Sequence, residues 1–412
     1  MATRASSLAD DYEAFLLDLD GVAYRGAAPI PGAAEAIRDL RRRGRRVVFI
    51  TNNSARTPEA VAGTLELMGV PASPDDVVTS AQAAVPLVRD LIGSEGTVFA
   101  VGEEGVLAAL KEGGMTVLQG EPERADAVVV GWDRRADYEK LRVASVLVQR
   151  GARLVATNAD ASYPAPGGEL WPGTGALLAV IEETTGRTAT VAGKPHTPLF
   201  DAAVERVGTS NALVIGDRLE TDVAGAAAAG LDAALVLTGA ATLPDLLDHD
   251  ALPVAIIEDL SQLFVERPHV RVRSATPGDE DAIRALVKEA ALAETDRGGS
   301  ESDGSAVVAE ADDAPVATAG VRTQNKDAYL HSVVVRPGEQ GLGLGTLIVA
   351  AAMGAARRQG ASRCFLLTET ASGFFSKLGF EPTDRDGMPA WILELSRDCA
   401  ISSASMSRRL VQ

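Results

Sequence analysis

Phe15-Leu16-Leu17-Asp18-Leu19-Asp20-Gly21-Val22 is a short apolar run closed by two carboxylates and a glycine. Such a run is too short for a stable helix and suits a buried strand bounded by a turn. That reading puts Asp18 at the carboxyl end of a central strand, where open parallel sheets bind their ligands. On these residues alone, a strand followed by an ordinary Asp-Gly turn is the simpler account. What surrounds the stretch decides between the two.

Downstream, Pro31-Gly32 opens an amphipathic segment that runs to about Arg43, with Gly44 as its C-terminal stop. Arg46 to Ile50 is a second apolar strand closing on Thr51-Asn52-Asn53-Ser54, and Thr57-Pro58 opens the next helix. Strand, helix and strand make a right-handed βαβ unit, which brings Thr51 to the same sheet end as Asp18. A βα alternation of its own fills residues 80–187. The first register then returns at Val191-Ala192-Gly193-Lys194-Pro195 and at the strand Ala212–Ile215, which ends in Gly216-Asp217-Arg218-Leu219-Glu220-Thr221-Asp222. Arg267-Pro268-His269 reads as a linker.

At 412 residues, two or three domains are expected. No run approaches the ~18 apolar residues that span a bilayer. The start of the chain has no apolar signal region, so a cytoplasmic protein is expected. The two cysteines, Cys364 and Cys399, form no metal-like pair. A formal charge of −18 argues against nucleic acid or an anionic membrane as partner. It leaves room for a small anionic substrate, because backbone dipoles and one lysine can dominate a local site.

Asp18, Asp20, Thr51, Asn52, Lys194, Asp217 and Asp222 all follow strands in this reading, so they can meet at one sheet edge. A carboxylate such as Asp18 can attack phosphorus and split a difficult displacement into two steps. Asp20, two residues on, could protonate the leaving alkoxide and later deprotonate water. Two carboxylates repel a phosphate, so a cation is required. Asp18, Asp217 and the backbone carbonyl of Asp20 form a hard oxygen set suited to Mg²⁺. Thr51, Asn52 and Lys194 would neutralise the phosphoryl oxygens. Phosphate monoester hydrolysis asks such a site for a barrier reduction on the order of 20 kcal/mol.

These four stretches resemble, in order and spacing, the four motifs of the haloacid dehalogenase superfamily phosphatases. The insert between the second and third resembles the α/β cap of the subgroup that holds phosphoglycolate, glycerol-3-phosphate, pyridoxal-phosphate and nitrophenyl phosphatases. The resemblance implies Asp18 as nucleophile, Asp20 as general acid/base, Thr51, Asn52 and Lys194 as phosphate-binding residues, and Asp217 as a magnesium ligand. Asp222 is implied as the carboxylate that positions the metal site. In the cap, Ala156-Thr157-Asn158-Ala159-Asp160 and Ser162-Tyr163-Pro164 fall where the family selects its leaving group. Asn158, Asp160 and Tyr163 are therefore expected to govern specificity, with Tyr163 and Trp171 equally readable as packing aromatics. Glycerol 3-phosphate or phosphoglycolate is the expected substrate, and pairing of caps into a homodimer is implied.

The C-terminal part has a different rhythm. Gln340-Gly341-Leu342-Gly343-Leu344-Gly345-Thr346 stands between a strand and the helix expected over Leu347–Gln359. Its spacing is not that of a dinucleotide fingerprint. It leaves successive N–H groups free at a helix N-terminus, a cradle for a pyrophosphate, though a structural turn would look the same. Together with two hairpin-forming strands joined at Asp312-Asp313, and with Phe374-Phe375-Ser376-Lys377-Leu378-Gly379-Phe380, the loop resembles a GNAT acetyltransferase domain. That resemblance implies acyl-CoA binding at Gly341, Gly343 and Gly345, with Glu369 or His331 as candidate bases.

The expected architecture is α/β. A Rossmann-like parallel-sheet core (1–79 and 188–266) carries an inserted α/β cap (80–187), followed by a GNAT-like α+β domain (270–396) and a frayed tail (397–412). The expected function is a Mg²⁺-dependent small-molecule phosphatase. The alternatives are a bifunctional phosphatase/N-acetyltransferase, or a phosphatase regulated by acyl-CoA on a degenerate GNAT-like domain.

Overall fold

A computed structural model describes residues 5–290, 304–396 and 403–411. The polar loop read at residues 294–305 falls almost wholly outside them. The chain divides into two compact units, one of residues 12–239 with 259–261, the other of residues 1–11, 240–258 and 262–412.

The first unit opens with strand β1 (Ala14–Leu17), all four residues of which are buried. Helix α1 (Ala33–Arg42) turns Ala33, Ala36, Ile37 and Leu40 inward. Strand β2 (Arg46–Thr51) follows, then helix α2 (Pro58–Leu67), which has Thr57 as N-cap and Pro58 in its first turn. Strand β3 (Val77–Thr79) and helix α3 (Ser80–Ile92) lead into the insert. The insert contributes β4 (Thr97–Val101), β5 (Thr116–Leu118), β6 (Ala127–Val130), helix α4 (Tyr138–Gln149) and β7 (Arg153–Ala156). A hairpin, β8 (Ser162–Pro164) with β9 (Leu170–Pro172), precedes helix α5 (Thr174–Thr185) and β10 (Thr190–Val191). Two last strands, β11 (Ala212–Gly216) and β12 (Asp232–Val236), complete the unit.

These strands form two parallel sheets. In the first, β12, β11, β1, β2 and β3 lie side by side in that order. Leu17 sits opposite Phe49 on one side and Ile215 on the other. Buried on both faces, β1 needs apolar side chains in unbroken sequence, which is why it reads as a run rather than an alternation. Phe15, Leu16 and Leu17 each contribute roughly 1.5–3 kcal/mol by leaving water. The insert's sheet has the order β10-β7-β6-β4-β5. Its core of Phe99, Val128, Val130, Leu147, Leu154 and Ile181 is separate from that of the first sheet.

The second unit is built on one seven-stranded mixed sheet. Strands β13 (Arg271–Ser274), β14 (Gly304–Ala311), β15 (Ala314–Gln324) and β16 (Asp327–Val335) are antiparallel. Asp312 and Asp313 both take positive φ in the two-residue turn between β14 and β15, where the sequence reading put it. Strand β16 pairs in parallel with β17 (Arg363–Thr368) over only three residues, Asp327–Tyr329 against Arg363–Phe365. Helix α6 (Leu344–Arg358) is buried almost all round, as its unbroken small apolar sequence requires. It begins three residues earlier than expected, so Gly345 lies in its first turn.

Two expectations need correction. Residues 403–411 do not fray: β18 (Ala404–Arg409) pairs with β17 over six residues and with Glu381–Pro382 on its other side. It covers an edge that β17 would otherwise expose. Residues 240–258 pack with the second unit. Arg357 donates to the Leu247 and His249 carbonyls and to Asp250, and Arg408 donates to the Pro244 carbonyl (2.9 Å) and Asp248 (2.6 Å), which bind residues 240–258 to the second unit. The linker at Arg267-Pro268 is buried, and Glu266–Pro268 pairs antiparallel with Ala5–Ser7.

Candidate active site

Adjacency of β1 with β2 and β11 brings three strand ends together. Asp18 follows β1, Thr51 ends β2, and Asp217 follows β11; the Asp18 N–H donates to the Ile215 carbonyl at 2.8 Å. Lys194 enters from the segment after β10. Its Nζ donates to Asp18 Oδ1 and to Asp222 Oδ1, both at 2.6 Å, with the lysine side chain 3 % exposed. Desolvation alone would lower the pKa of this ammonium, yet Asp18 and Asp222 hold it above the ordinary lysine value. Burial pushes the Asp18 carboxyl up to about 7; Lys194 opposes the rise, and Asp222 and Asp217 add to it.

Asp18, Asp217 and Asp222 each place a carboxylate oxygen within 4.8 Å of the others. Three buried carboxylates against one ammonium leave an excess of negative charge, and the donors are all hard oxygens. This set fits a divalent ion such as Mg²⁺. Gly21 and Gly239 press on Asp217 so closely that a methyl at either would overlap its carboxylate. The Asp20 carboxylate stands apart from the cluster: it is exposed, and its Oδ1 accepts from the Gly26 N–H at 3.3 Å. Asp222 is tied to Lys194 and to the Arg218 N–H (3.1 Å), so it orients the lysine as well as lining the cluster.

Asn52 is the junction between the two sheets. Its Oδ1 accepts from the Lys194 N–H at 2.8 Å, and its Nδ2 donates to the Lys194 carbonyl and to Asp160 Oδ2, each at 3.1 Å. Asn158 Nδ2 donates to the Asn52 carbonyl at 2.7 Å and Asn158 Oδ1 accepts from the Asp160 N–H at 3.1 Å. Both ends of the Asn52 amide are engaged. Thr51 is buried, and its hydroxyl accepts from the Asn53 N–H at 3.1 Å.

Tyr163 is a stacked residue: its ring lies 4.1 Å from that of Trp132, tilted by 32°. Sequence reading passed over Trp132 and Tyr24. Trp132 stands just after β6, and Tyr24 opens a short strand beyond the turn that follows β1; those placements were the available signal.

In the second unit, Gly341 (φ 84°) and Gly343 (φ 82°) take the left-handed conformation before α6. A methyl on Gly345 would crowd the Phe374 ring at 3.2 Å. His331, a candidate base, is half-buried and stacks on Tyr329, with ring centroids 5.7 Å apart and its pKa pushed down to about 4 by desolvation.

Residues 15–116 match the sequence model of the haloacid dehalogenase-like hydrolases, and residues 191–263 match a second model of that group. Residues 273–380 match the GNAT acetyltransferase family. The chain belongs to the haloacid dehalogenase-like hydrolases, is a phosphatase, and carries a GNAT domain at its C-terminal side. An acid sugar phosphatase of Staphylococcus haemolyticus is 37 % identical over 258 residues, which are 62 % of this chain and 97 % of the relative. The crystal structure of a glycerol phosphate phosphatase from Mycobacterium tuberculosis, in complex with magnesium, superposes with a TM-score of 0.70 at 28 % identity. The likeness covers 91 % of this chain and 99 % of that one, so it includes both units. The 4-nitrophenylphosphatase of Thermotoga maritima is 33 % identical with a TM-score of 0.58, covering 62 % of this chain and 97 % of its own. Among the described residues, no helix is long and apolar enough to cross a membrane.

Proposed function

We propose that this phosphatase hydrolyses a small organic phosphomonoester, with glycerol 3-phosphate the preferred candidate, through a phosphoryl group carried on Asp18. The observation that carries the reading is the buried Lys194 held at 2.6 Å from both Asp18 and Asp222, beside Asp217. A carboxylate Oδ of Asp18 attacks phosphorus as the ester oxygen leaves, and Asp20 gives that oxygen its proton. Asp20 then takes a proton from the water that attacks phosphorus, and Asp18 departs with its electron pair. The exposed Asp20 carboxylate can exchange protons with solvent between the two steps, which a member of the buried cluster could not do readily. Lys194 neutralises the phosphoryl oxygens and keeps Asp18 oriented. Asp18, Asp217 and the Asp20 carbonyl would hold Mg²⁺, which when bound supplies positive charge against the phosphate.

Asp18→Asn is expected to lower phosphate release at least 1,000-fold while the thermal melt stays within a few degrees of wild type. Retained activity would sink the reading. A panel of phosphomonoesters assayed with Mg²⁺, and again after chelation, ranks the leaving groups and tests the metal. Glycerol 3-phosphate is supported by the relative covering both units. The acid sugar phosphatase makes sugar phosphates the natural competitors in that panel.

For the second unit we propose acyl-CoA binding at Gly341, Gly343 and Gly345. Two left-handed glycines opening a 15-residue helix leave its first N–H groups free for a pyrophosphate. Calorimetry with acetyl-CoA tests this. Release of free CoA with an amine acceptor would favour a second enzyme activity, and a change in phosphatase rate without CoA release would favour regulation.

A further inference from the structure

Lys194 carries the buried ammonium, yet no regular element holds its main chain. It lies beyond β10 and short of the helix Pro198–Val207, so its N–H and C=O belong to neither a ladder nor a helix. The Asn52 side chain takes both. Its Oδ1 accepts from the Lys194 N–H at 2.8 Å, and its Nδ2 donates to the Lys194 carbonyl at 3.1 Å. One amide thus grips one residue at two points, which fixes the lysine's main chain in place and in orientation. Gly193 makes the approach possible: a methyl there would lie 2.5 Å from Asn52 Oδ1 and 2.6 Å from the Thr157 carbonyl.

Asn52 is itself pinned from outside its own strand. Its carbonyl accepts from Ser80 Oγ and from Asn158 Nδ2, both at 2.7 Å, and its Nδ2 also donates to Asp160 Oδ2 at 3.1 Å. Ser80 opens helix α3 and is fully buried; Asn158 follows β7 of the insert and is 3 % exposed. The Asp160 N–H orients Asn158 in turn, donating to its Oδ1 at 3.1 Å. Polar side chains buried this deeply cost free energy unless their groups are satisfied, and a satisfied network specifies one arrangement. Each of these bonds ends on Asn52 or steadies a group that does. The mechanism above uses neither Ser80 nor Asn158.

We propose that the Asn52 side chain is the positioning group for Lys194, and that Ser80 and Asn158 are positioning residues for Asn52, so that the insert takes part in placing the ammonium. This rests on the phosphatase reading. It gives the Asn52 side chain a different task from the phosphate contact that the family resemblance implies, and Asn158 a task that does not depend on the leaving group. The ammonium sits at the end of a four-carbon stem, so a shift of the main chain is carried to Nζ. A misplacement of about 1 Å costs on the order of 100-fold in rate.

The test is a double-mutant cycle on the full chain, read as kcat and KM for p-nitrophenyl phosphate with Mg²⁺, at a temperature where circular dichroism shows each variant folded. Asn52→Ala is expected to lower kcat about 100-fold with KM within about threefold, and Asn158→Ala and Ser80→Ala to lower kcat about tenfold each. In a Lys194→Met background, none of the three should lower kcat by more than about a further threefold, because no ammonium remains to be placed. A further loss of about tenfold from Asn52→Ala in that background overturns the proposal. So does a wild-type kcat in the single variant, or a loss confined to KM, which would mean that Asn52 binds the phosphate directly. Where Lys194→Met does not fold, the single variants decide. Asn52→Ala and Asn158→Ala must then lower kcat for p-nitrophenyl phosphate and glycerol 3-phosphate by the same factor to within about threefold, since the ammonium meets the phosphoryl group and not the leaving group. Unequal factors overturn the proposal. Failure of the underlying reading is distinct: Asp18→Asn would then still release phosphate, whatever the cycle shows.

Discussion

Two regions of this chain present main-chain donors at the end of a regular element, and they differ in what else they bring. Around Asp18, two adjacent parallel strands deliver carboxylates and a third delivers Thr51, and a buried lysine is locked between Asp18 and Asp222. At Gly341–Gly345 the helix N-terminus is bare, with glycines on one side and packed residues such as Phe374 on the other. The first arrangement is costly to fold. A buried ion pair gains little over an apolar replacement of similar volume, so its stability alone does not account for Lys194. The second costs almost nothing, because glycine loops and helix starts belong to the fold itself. Burial of charge therefore separates a committed chemical site from a fold that can be kept for binding or for other ends.

The strongest way to break this comparison is to remove the buried cation. Lys194→Met leaves Asp18 and Asp222 facing each other without a counter-charge. It is expected to lower phosphate release at least 1,000-fold and to cost about 3–5 kcal/mol in denaturant unfolding. A variant that keeps full stability would mean the cluster is better solvated than its burial indicates. Gly239→Ala sharpens the same point with a smaller effect. Its methyl would force the Asp217 carboxylate aside, with a loss of about 100-fold in phosphate release and a higher Mg²⁺ requirement. An unchanged Mg²⁺ titration would remove Asp217 from the metal site.

The contrast also explains what could be read in advance. Strand ends with Asp, Thr and Lys at βα spacing were legible because parallel topology forces successive strand ends to one edge, and so Asp18, Thr51, Lys194 and Asp217 fell together. The division of labour among them was not legible. That the Asp20 carboxylate stands outside the cluster while Asp222 stands within it depends on side-chain directions after the turn. The final strand escaped because Ser405-Met406-Ser407-Arg408-Arg409 has one inward apolar residue, Met406, and otherwise polar ones. Its place is set by the edge it covers. The packing of residues 240–258 with the second unit escaped for a similar reason: Arg357 and Arg408 lie more than a hundred residues from the carbonyls they hold. Trp132 was passed over because its partners Ser54, Tyr163 and Pro172 are distant in sequence.

That final strand gives a third test, one that should separate the two regions. Met406 is 1 % exposed, and Met406→Ala is expected to destabilise the second unit by about 2–4 kcal/mol. Phosphate release per folded molecule should stay within twofold. A large fall in kcat at temperatures where the protein remains folded would show that the two regions are energetically coupled, and that the Gly341–Gly345 loop belongs in an account of phosphatase regulation.

The smallest expected effect is on the pH dependence of stability, and its sign follows from Asp18. Burial raises the folded-state pKa of this carboxyl from its ordinary value to about 7. The folded state then binds the proton more tightly than the unfolded state does. The contribution to stability is complete below about pH 4 and fades as pH rises through about 7. Metal-free protein should therefore lose stability progressively between about pH 4 and 7. Melts in the presence of a chelator should show this slope in the wild type and a flatter one in Asp18→Asn, which has no proton to lose there. Mg²⁺ should reverse the trend, because it competes with the proton for the same oxygens and binds more tightly as pH rises. The comparison is thereby drawn more closely: the excess of carboxylates that destabilises the metal-free site is the same excess that gives a divalent ion its place.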